Sequence, residues 1–528
     1  MYRLTIPLLL LCAALASAQT VWVASPWEHV LKTSEPGTVT AATLQSAANE
    51  YEPFRVIVRA GETALPDVTL KASALNGPKG SIPAGDLTLF REYYLNVSAP
   101  SLRSTAPTGW YPDALIPFVD PITGKDIEGA KYDATPYTIE PSSNQGYWID
   151  AHVPKGTAPG EYRGTVTVTS AGKALATVPV SLTVWGFELP ETIAMQSNFG
   201  SLGSRLAKKN NLQPNSPELA ATEDLYIDEF LAHRAVPGSL GNIWPTVKDD
   251  GTVDDSQTGA RLRDLVVNKH VNALKLPFSM SDPEKCKRDL RAYAKYLREK
   301  GWLKLAYVYM RDEPNNAEDY ETVRKQGALI KEADPEIGRM CTEQTISSNP
   351  EWGNLYGAVN IWCPLWGLWD EPTAKERLAA GERLWSYTAL CQGNAPFWQV
   401  DFAPVHFRAP FWISWRYDVE GFLYWSSIYW DAYEDVWNNP HFRDKYWGEG
   451  MLVYPGVEAG IKGPVTSIRL KLVREALEDF EYMTLAAKQG KGERVDHIVN
   501  SVVQSFQVWD HNPEEYAKAR ERLARLIK

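Results

Sequence analysis

Leu305-Ala306-Tyr307-Val308-Tyr309-Met310-Arg311-Asp312-Glu313-Pro314 opens as an apolar run of aromatic and β-branched residues and stops at two adjacent carboxylates and a proline. That composition predicts a strand buried on both faces, as in a parallel sheet covered by helices. Pro314 cannot donate to a sheet ladder and biases Glu313 toward an extended backbone, and the residues after it have helix-forming composition, with Asn315 or Asn316 as the cap. The unit reads as strand, acidic tip, helix. In parallel α/β folds ligands sit at the open ends of the strands, so Asp312 and Glu313 are candidates for chemistry. The plain alternative is that both acids only cap the following helix and complement its dipole.

Outward from this stretch, 528 residues are too many for one small core and predict two or more domains. The 20 tryptophans and 25 tyrosines supply flat apolar faces suited to stacking on sugars or to large cores. A net charge of -11 argues against nucleic acid as partner, because phosphate binding needs a basic footprint. Residues 1–18 read as a signal peptide: Arg3, then an apolar core, then Ala16-Ser17-Ala18 before a cleavage point. Secretion or export to a periplasm is the expectation. No later apolar run is long enough to span a membrane. Cys12 lacks the small residue expected before a lipidated cysteine, and Cys286, Cys341, Cys363 and Cys391 are spaced too widely for a zinc site.

Residues 19–190 alternate short strands with turn residues and predict a β-sandwich, with 164–169 pairing to 176–184 across Ala171-Gly172. Asn96-Val97-Ser98 matches a glycosylation sequon, a short signal that matters only in a eukaryotic host. After Leu189-Pro190 strands alternate with helices. Strand candidates fall at 195–199, 237–240, 273–278, 304–310, 338–343, 358–363, 384–390 and 421–425, with helices at 217–235, 260–270, 283–300 and 373–380 between them. This rhythm over about 250 residues predicts a (β/α)8 TIM-like barrel at 191–460, its weakest unit the link between the fifth and sixth strands. Residues 461–528 predict C-terminal helices packing on the barrel. The fold class is therefore multidomain, β followed by α/β.

Residues just past each strand would line the open end. Asp312 and Glu313 follow strand four, Glu343 strand five, Trp366, Trp369 and Asp370 strand six; Trp385 and Tyr387 lie on strand seven, Trp425, Tyr429 and Asp431 at strand eight. Carboxylates among aromatics resemble a sugar site, with indole and phenol faces stacking on pyranose rings and an acid protonating the leaving oxygen. A single Trp there is more simply core. The eight histidines show no paired spacing, no serine sits in a nucleophile elbow and no glycine-rich phosphate loop follows a strand. Carboxylate chemistry without a metal or other cofactor is what remains.

Asn49-Glu50-Tyr51-Glu52-Pro53-Phe54, Trp185-Gly186-Phe187-Glu188-Leu189-Pro190, Arg311-Asp312-Glu313-Pro314, the Glu382 to Thr388 segment, Gly421-Phe422-Leu423-Tyr424-Trp425-Ser426, Leu452-Val453-Tyr454-Pro455-Gly456 and Ser467-Ile468-Arg469-Leu470 through Tyr482 resemble glycoside hydrolase family 123 over nearly the whole mature chain. Glu449 departs from the resemblance, which leads one to expect Asp there. The resemblance implies a retaining, exo-acting β-N-acetylgalactosaminidase in which the substrate's 2-acetamido group is the nucleophile. It further implies Glu313 as general acid/base and Asp312 as the residue orienting the acetamido group. Trp385, Tyr387, Trp425 and Tyr429 would wall the sugar pocket, with Tyr387 a candidate to bond the acetamido carbonyl. Neighbours on a strand point to opposite faces, so both acids can serve one site only if the backbone bends there. Two other functions stay open: a two-carboxylate glycosidase on a non-acetamido sugar, using Glu343, Asp370 or Asp431 with Glu313, and a non-catalytic carbohydrate-binding protein.

Overall fold

In the computed structural model, which describes residues 19–528, the first two sheets face each other across a shared apolar core. The proposed signal peptide and Cys12 lie outside the described residues. One sheet is antiparallel, in the order Thr20–Ala24, Glu50–Arg59, Asn144–Val153, Leu87–Val97, Gly109–Pro117. The other runs Ala42–Ala48, Lys173–Glu188, Gly160–Ser170, Leu65–Ala72, Tyr137–Ile139. Val56, Val58, Tyr147 and Ile149 from the first meet Val166, Val168, Val180 and Leu182 from the second. The period-2 alternation of these strands places those side chains inward. Ala171 and Gly172, with φ of 46° and 75°, form the left-handed turn that joins Gly160–Ser170 to Lys173–Glu188 in the predicted pairing. The second of these strands continues through Trp185 and Phe187 to Glu188, so most of the Trp185–Pro190 motif is its end.

The following part of the chain builds a curled, wholly parallel sheet ordered Gln196–Asn198, Val419–Tyr424, Arg383–Thr388, Ile361–Trp362, Gly338–Cys341, Ala306–Tyr309, Leu274–Lys275. It has seven strands where eight were expected. Residues 237–240 do not form a strand. The segment is tied to the first strand by Phe199 N donating to Val236 O (3.0 Å) and Gly238 N to Gly200 O (2.7 Å). Pro237 has no N–H to extend that ladder, and a hollow of about 230 Å³ separates the segment from residues 273–277 on its other side. Helices Pro217–Ala232, Pro283–Lys300, Ala317–Ala333, Glu371–Ala379 and Val405–Arg416 pack around the sheet, four of them capped by the side chains of Ser216, Asp282, Asn316 and Asp370. Between the fifth and sixth predicted strands there is only the 3-10 turn Pro350–Trp352.

The C-terminal helix Ile468–Ala486 is buried from Ile468 to Met483, polar residues included. Its charges face carboxylates of the N-terminal sheets. Arg469 makes two bonds to Asp113 at 2.8 Å each, Arg474 two to Asp150 at 2.9 and 3.0 Å, and Lys471 a third to Asp150 at 2.8 Å. Burial would raise the Asp150 carboxyl, but Arg474 and Lys471 hold it well below the usual carboxylate range. All four cysteines after residue 18 are buried free thiols, and burial pushes Cys341 and Cys363 well above the ordinary thiol range, so both stay protonated. Among the described residues no helix is long and apolar enough to cross a membrane.

Candidate active site

The acidic tip stands at the open end of the parallel sheet. Strand Ala306–Tyr309 ends, and Glu313 takes a left-handed backbone with φ of 42° before the helix capped by Asn316. That kink is the bend the alternation problem requires: with φ reversed at one residue, two neighbouring carboxylates turn to the same side. Both side chains are exposed at the mouth, while Pro314 is buried beneath them.

Each acid has its own support. Asp312 Oδ1 accepts from Tyr309 OH at 2.6 Å and from Thr342 Oγ1 at 2.8 Å, and the Glu313 N–H donates to Thr342 Oγ1 at 3.0 Å. Tyr387 OH donates to Glu313 Oε1. Burial first, and the adjacent carboxylate second, push both phenols far above their ordinary range, so they remain protonated donors. Tyr387 therefore holds the acid/base candidate, where the resemblance pointed to the acetamido carbonyl.

Asp312 and Glu313 open into a cavity of about 450 Å³ whose walls include Asn198, Lys275, Tyr387, Trp425, Tyr429 and Phe442. Trp425 and Tyr429 meet edge to face at 4.8 Å. The Trp425 indole donates to Glu449 Oε1 at 2.6 Å, and Glu449 also accepts from the Leu390 N–H at 3.1 Å and from Gln399. Gly450, with φ of 70°, clears the ring: a Cβ there would lie 2.4 Å from Trp425 Cζ2. Glu449, the departure noted above, is thus the anchor of this aromatic wall.

Two expected sugar contacts lie elsewhere. Trp366 is fully buried, donates to Phe506 O at 3.1 Å and stacks on the Phe506 ring at 4.4 Å. Trp385 is fully buried against Gly421, where a Cβ would lie 2.2 Å from the indole, and against Tyr307. Trp385 lies two residues before Tyr387, on the same face of its strand but below the cavity, where Gly421 and Tyr307 cover it, and Trp366 lies past its strand on the 3-10 turn Trp366–Leu368, where it packs on Phe506. The acids held as alternative nucleophiles are also engaged elsewhere. Asp370 caps the helix Glu371–Ala379, Asp431 pairs with Lys208 at 3.2 Å, and Glu343 is buried with its carboxylate on the Gln344 N–H. Burial, offset by that N–H and reinforced by the Glu313 charge, raises Glu343 to about 7. Among the described residues only Asp312 and Glu313 bring carboxylates to the cavity wall, and no group of three or more His, Cys, Asp or Glu could hold a metal ion.

Asn198, Lys275, Tyr309, Thr342, Phe442 and Arg443 line the cavity without having been singled out. Asn198, Lys275, Tyr309 and Thr342 sit at strand ends, so position alone could have flagged them; Phe442 and Arg443 arrive on a hairpin with no strand signal before it.

The family model described as Glycoside hydrolase 123, catalytic domain, matches residues 284–486, and the Glycoside hydrolase 123 N-terminal domain matches 49–170. A solved family 123 glycoside hydrolase from Clostridium perfringens, described for glycolipid glycan hydrolysis, superposes with a TM-score of 0.68 at 16% identity, covering 97% of each chain. A family 39 glycoside hydrolase from the gut symbiont Bacteroides cellulosilyticus overlaps more loosely, with a TM-score of 0.32 at 10% identity over 83% of this chain and 82% of that one. Among curated proteins none matches the sequence.

Proposed function

Since this chain belongs to glycoside hydrolase family 123 and is a glycoside hydrolase, we propose that it is a retaining, exo-acting β-N-acetylgalactosaminidase that uses the substrate's own acetamido group as nucleophile. The observation that carries this reading is the pair itself: two adjacent, separately braced carboxylates with no third one on the cavity wall among the described residues. A conventional retaining or inverting enzyme needs a second carboxylate across the sugar ring, about 5 Å or about 6.5 to 9.5 Å from the acid. Glu343 bonds the Gln344 N–H, Asp370 caps a helix and Asp431 pairs with Lys208, and none of the three lies on the cavity wall.

In the proposed sequence the acetamido oxygen attacks the anomeric carbon while the glycosidic bond breaks, and Glu313 gives its proton to the departing oxygen. Asp312 Oδ1 is taken by Tyr309 and Thr342, leaving Oδ2 to accept the amide N–H and balance the positive charge of the oxazolinium. Glu313 then removes a proton from the water that opens this ring, and configuration is retained. Tyr387 fixes the Glu313 carboxyl, and Trp425 with Tyr429 supplies the stacking wall. Export belongs to the same reading, with residues 1–18 removed after Ala18; N-terminal sequencing of the mature protein tests it.

The deciding experiment compares aryl glycosides with and without the 2-acetamido group, with a thiazoline mimic of the oxazoline as inhibitor. Turnover restricted to acetamido sugars and strong thiazoline inhibition are expected. Hydrolysis of sugars lacking the group, or indifference to the thiazoline, would refute substrate assistance.

A further inference from the structure

Where the parallel sheet fails to close, the hollow of about 230 Å³ opens beside the catalytic cavity, and Lys275 lines both. Lys275 ends the strand Leu274–Lys275 and is paired in register with Tyr307, on the strand that carries the acid pair at its tip. The hollow is also lined by Trp244, partly buried, with Leu240, Ile243 and Pro277. An indole and a proline beside an opening are surfaces on which a pyranose ring stacks.

The cation is poorly matched to its surroundings. Its ammonium has one hydrogen bond, to Ser201 Oγ at 3.4 Å, and among the described residues no carboxylate lies close enough to pair with it. Burial lowers it below the ordinary lysine range with nothing opposing the shift. A partly buried charge without a counter-charge is unfavourable, and a chain with 65 acidic against 54 basic residues does not lack acids to supply one.

We infer that Lys275 and the Trp244 hollow form an accessory subsite for a second sugar bearing an anionic group, a carboxylate or a sulfate ester, so that the preferred substrate is an acidic glycan. This rests on the catalytic reading above, with the acetamido sugar in the larger cavity and the charged neighbour beyond Lys275. The ammonium pairs with the anion while Trp244 takes the ring face, which makes Lys275 a determinant of specificity.

Calorimetry on the Glu313→Gln protein, whose residual turnover is too slow to deplete the ligand during a titration, separates binding from catalysis. The ligands are β-N-acetylgalactosaminyl-galactose, the same disaccharide sulfated on galactose, and β-N-acetylgalactosaminyl-glucuronic acid. At low salt at least one acidic disaccharide is expected to bind tenfold or more tighter than the neutral one, and which of the two does so identifies the acid. Adding Lys275→Met should erase that gap and Lys275→Arg should keep most of it. Equal binding of neutral and acidic ligands, or a gap that survives Lys275→Met, overturns the subsite. No binding of any disaccharide, together with a wild-type enzyme inert on aryl N-acetylgalactosaminides, would instead overturn the catalytic reading and the subsite with it.

Discussion

Glu313 holds a backbone angle, φ of 42°, that a side chain with a Cβ seldom adopts, and strain of that kind persists where the surrounding structure imposes it. Here Thr342 grips the Glu313 N–H and Tyr387 its carboxyl, so both ends of the residue are fixed. Glu313→Gln keeps those geometric ties and removes the transferable proton, so kcat should fall by roughly 10²–10⁴ with KM nearly unchanged. A loss confined to KM would place the general acid elsewhere. Tyr387→Phe leaves the acid ionisable but loosely aimed; a drop in kcat of about tenfold is expected, for one lost hydrogen bond. Glu343 predicts a stability effect. Its folded carboxyl titrates near 7 against an ordinary 4.5, so between those values the folded chain holds a proton that the unfolded chain gives up. Stability therefore falls as pH rises through that window and stays lowered above it. Glu343→Gln removes the penalty, and its advantage over wild type in urea unfolding should grow between pH 5 and pH 8 by up to about 3 kcal/mol; parallel curves would show that Glu343 does not titrate there.

Among elements, the loop Gly448-Glu449-Gly450 does for the aromatic wall what Tyr387 and Thr342 do for the acids. Gly450→Ala would put a Cβ into the Trp425 ring at a left-handed φ, so a stability loss of about 1–3 kcal/mol and a several-fold rise in KM are expected, measured by thermal unfolding and steady-state kinetics. Normal KM and stability would mean Trp425 does not wall the site. This loop also marks where sequence stops being informative. The tip at 305–314, the helix cap at Asn316 and the hairpin at Ala171-Gly172 were legible because each depends on residues within a few positions. Trp366 and Trp385 were misplaced because their burial is not set locally: Trp385 shares its strand face with Tyr387 but sits below the cavity, and Trp366 bonds Phe506, 140 positions away. Residues 237–240 looked like a strand by composition, but to close the sheet they would have to pair on both sides, and Pro237 and the adjoining hollow remove one of those pairings. The partner that makes Glu449 an anchor lies 24 positions away and left no local pattern.

At the level of the whole molecule, the helix Ile468–Ala486 shows the same limit on a larger scale. Its apolar spacing announced a packing helix, yet Arg469, Lys471 and Arg474 are also buried, and their partners Asp113 and Asp150 come from sheets more than 300 positions earlier. Removing one member of a buried, hydrogen-bonded ion pair typically costs about 3–5 kcal/mol, because the other charge is left unpaired and out of water. Asp150→Ala would leave Lys471 without a carboxylate and Arg474 with Glu475 alone, and should destabilise by about that much. Removing residues 19–190 would take Asp113 and Asp150 from these cations and Glu50 and Glu52 from Arg520, leaving it Glu475 and Asp479, and would take away the surface that excludes water from them. A chain beginning at residue 191 should therefore fail to give a soluble protein with a cooperative thermal transition, even though it keeps the acid pair, its supports and the aromatic wall. Solubility, calorimetric unfolding and aryl-glycosidase activity of that fragment test this together. A folded, active fragment would show that the N-terminal sheets only decorate the catalytic part; aggregation relieved by supplying residues 19–190 in trans would show that the two parts share one core across a charged seam.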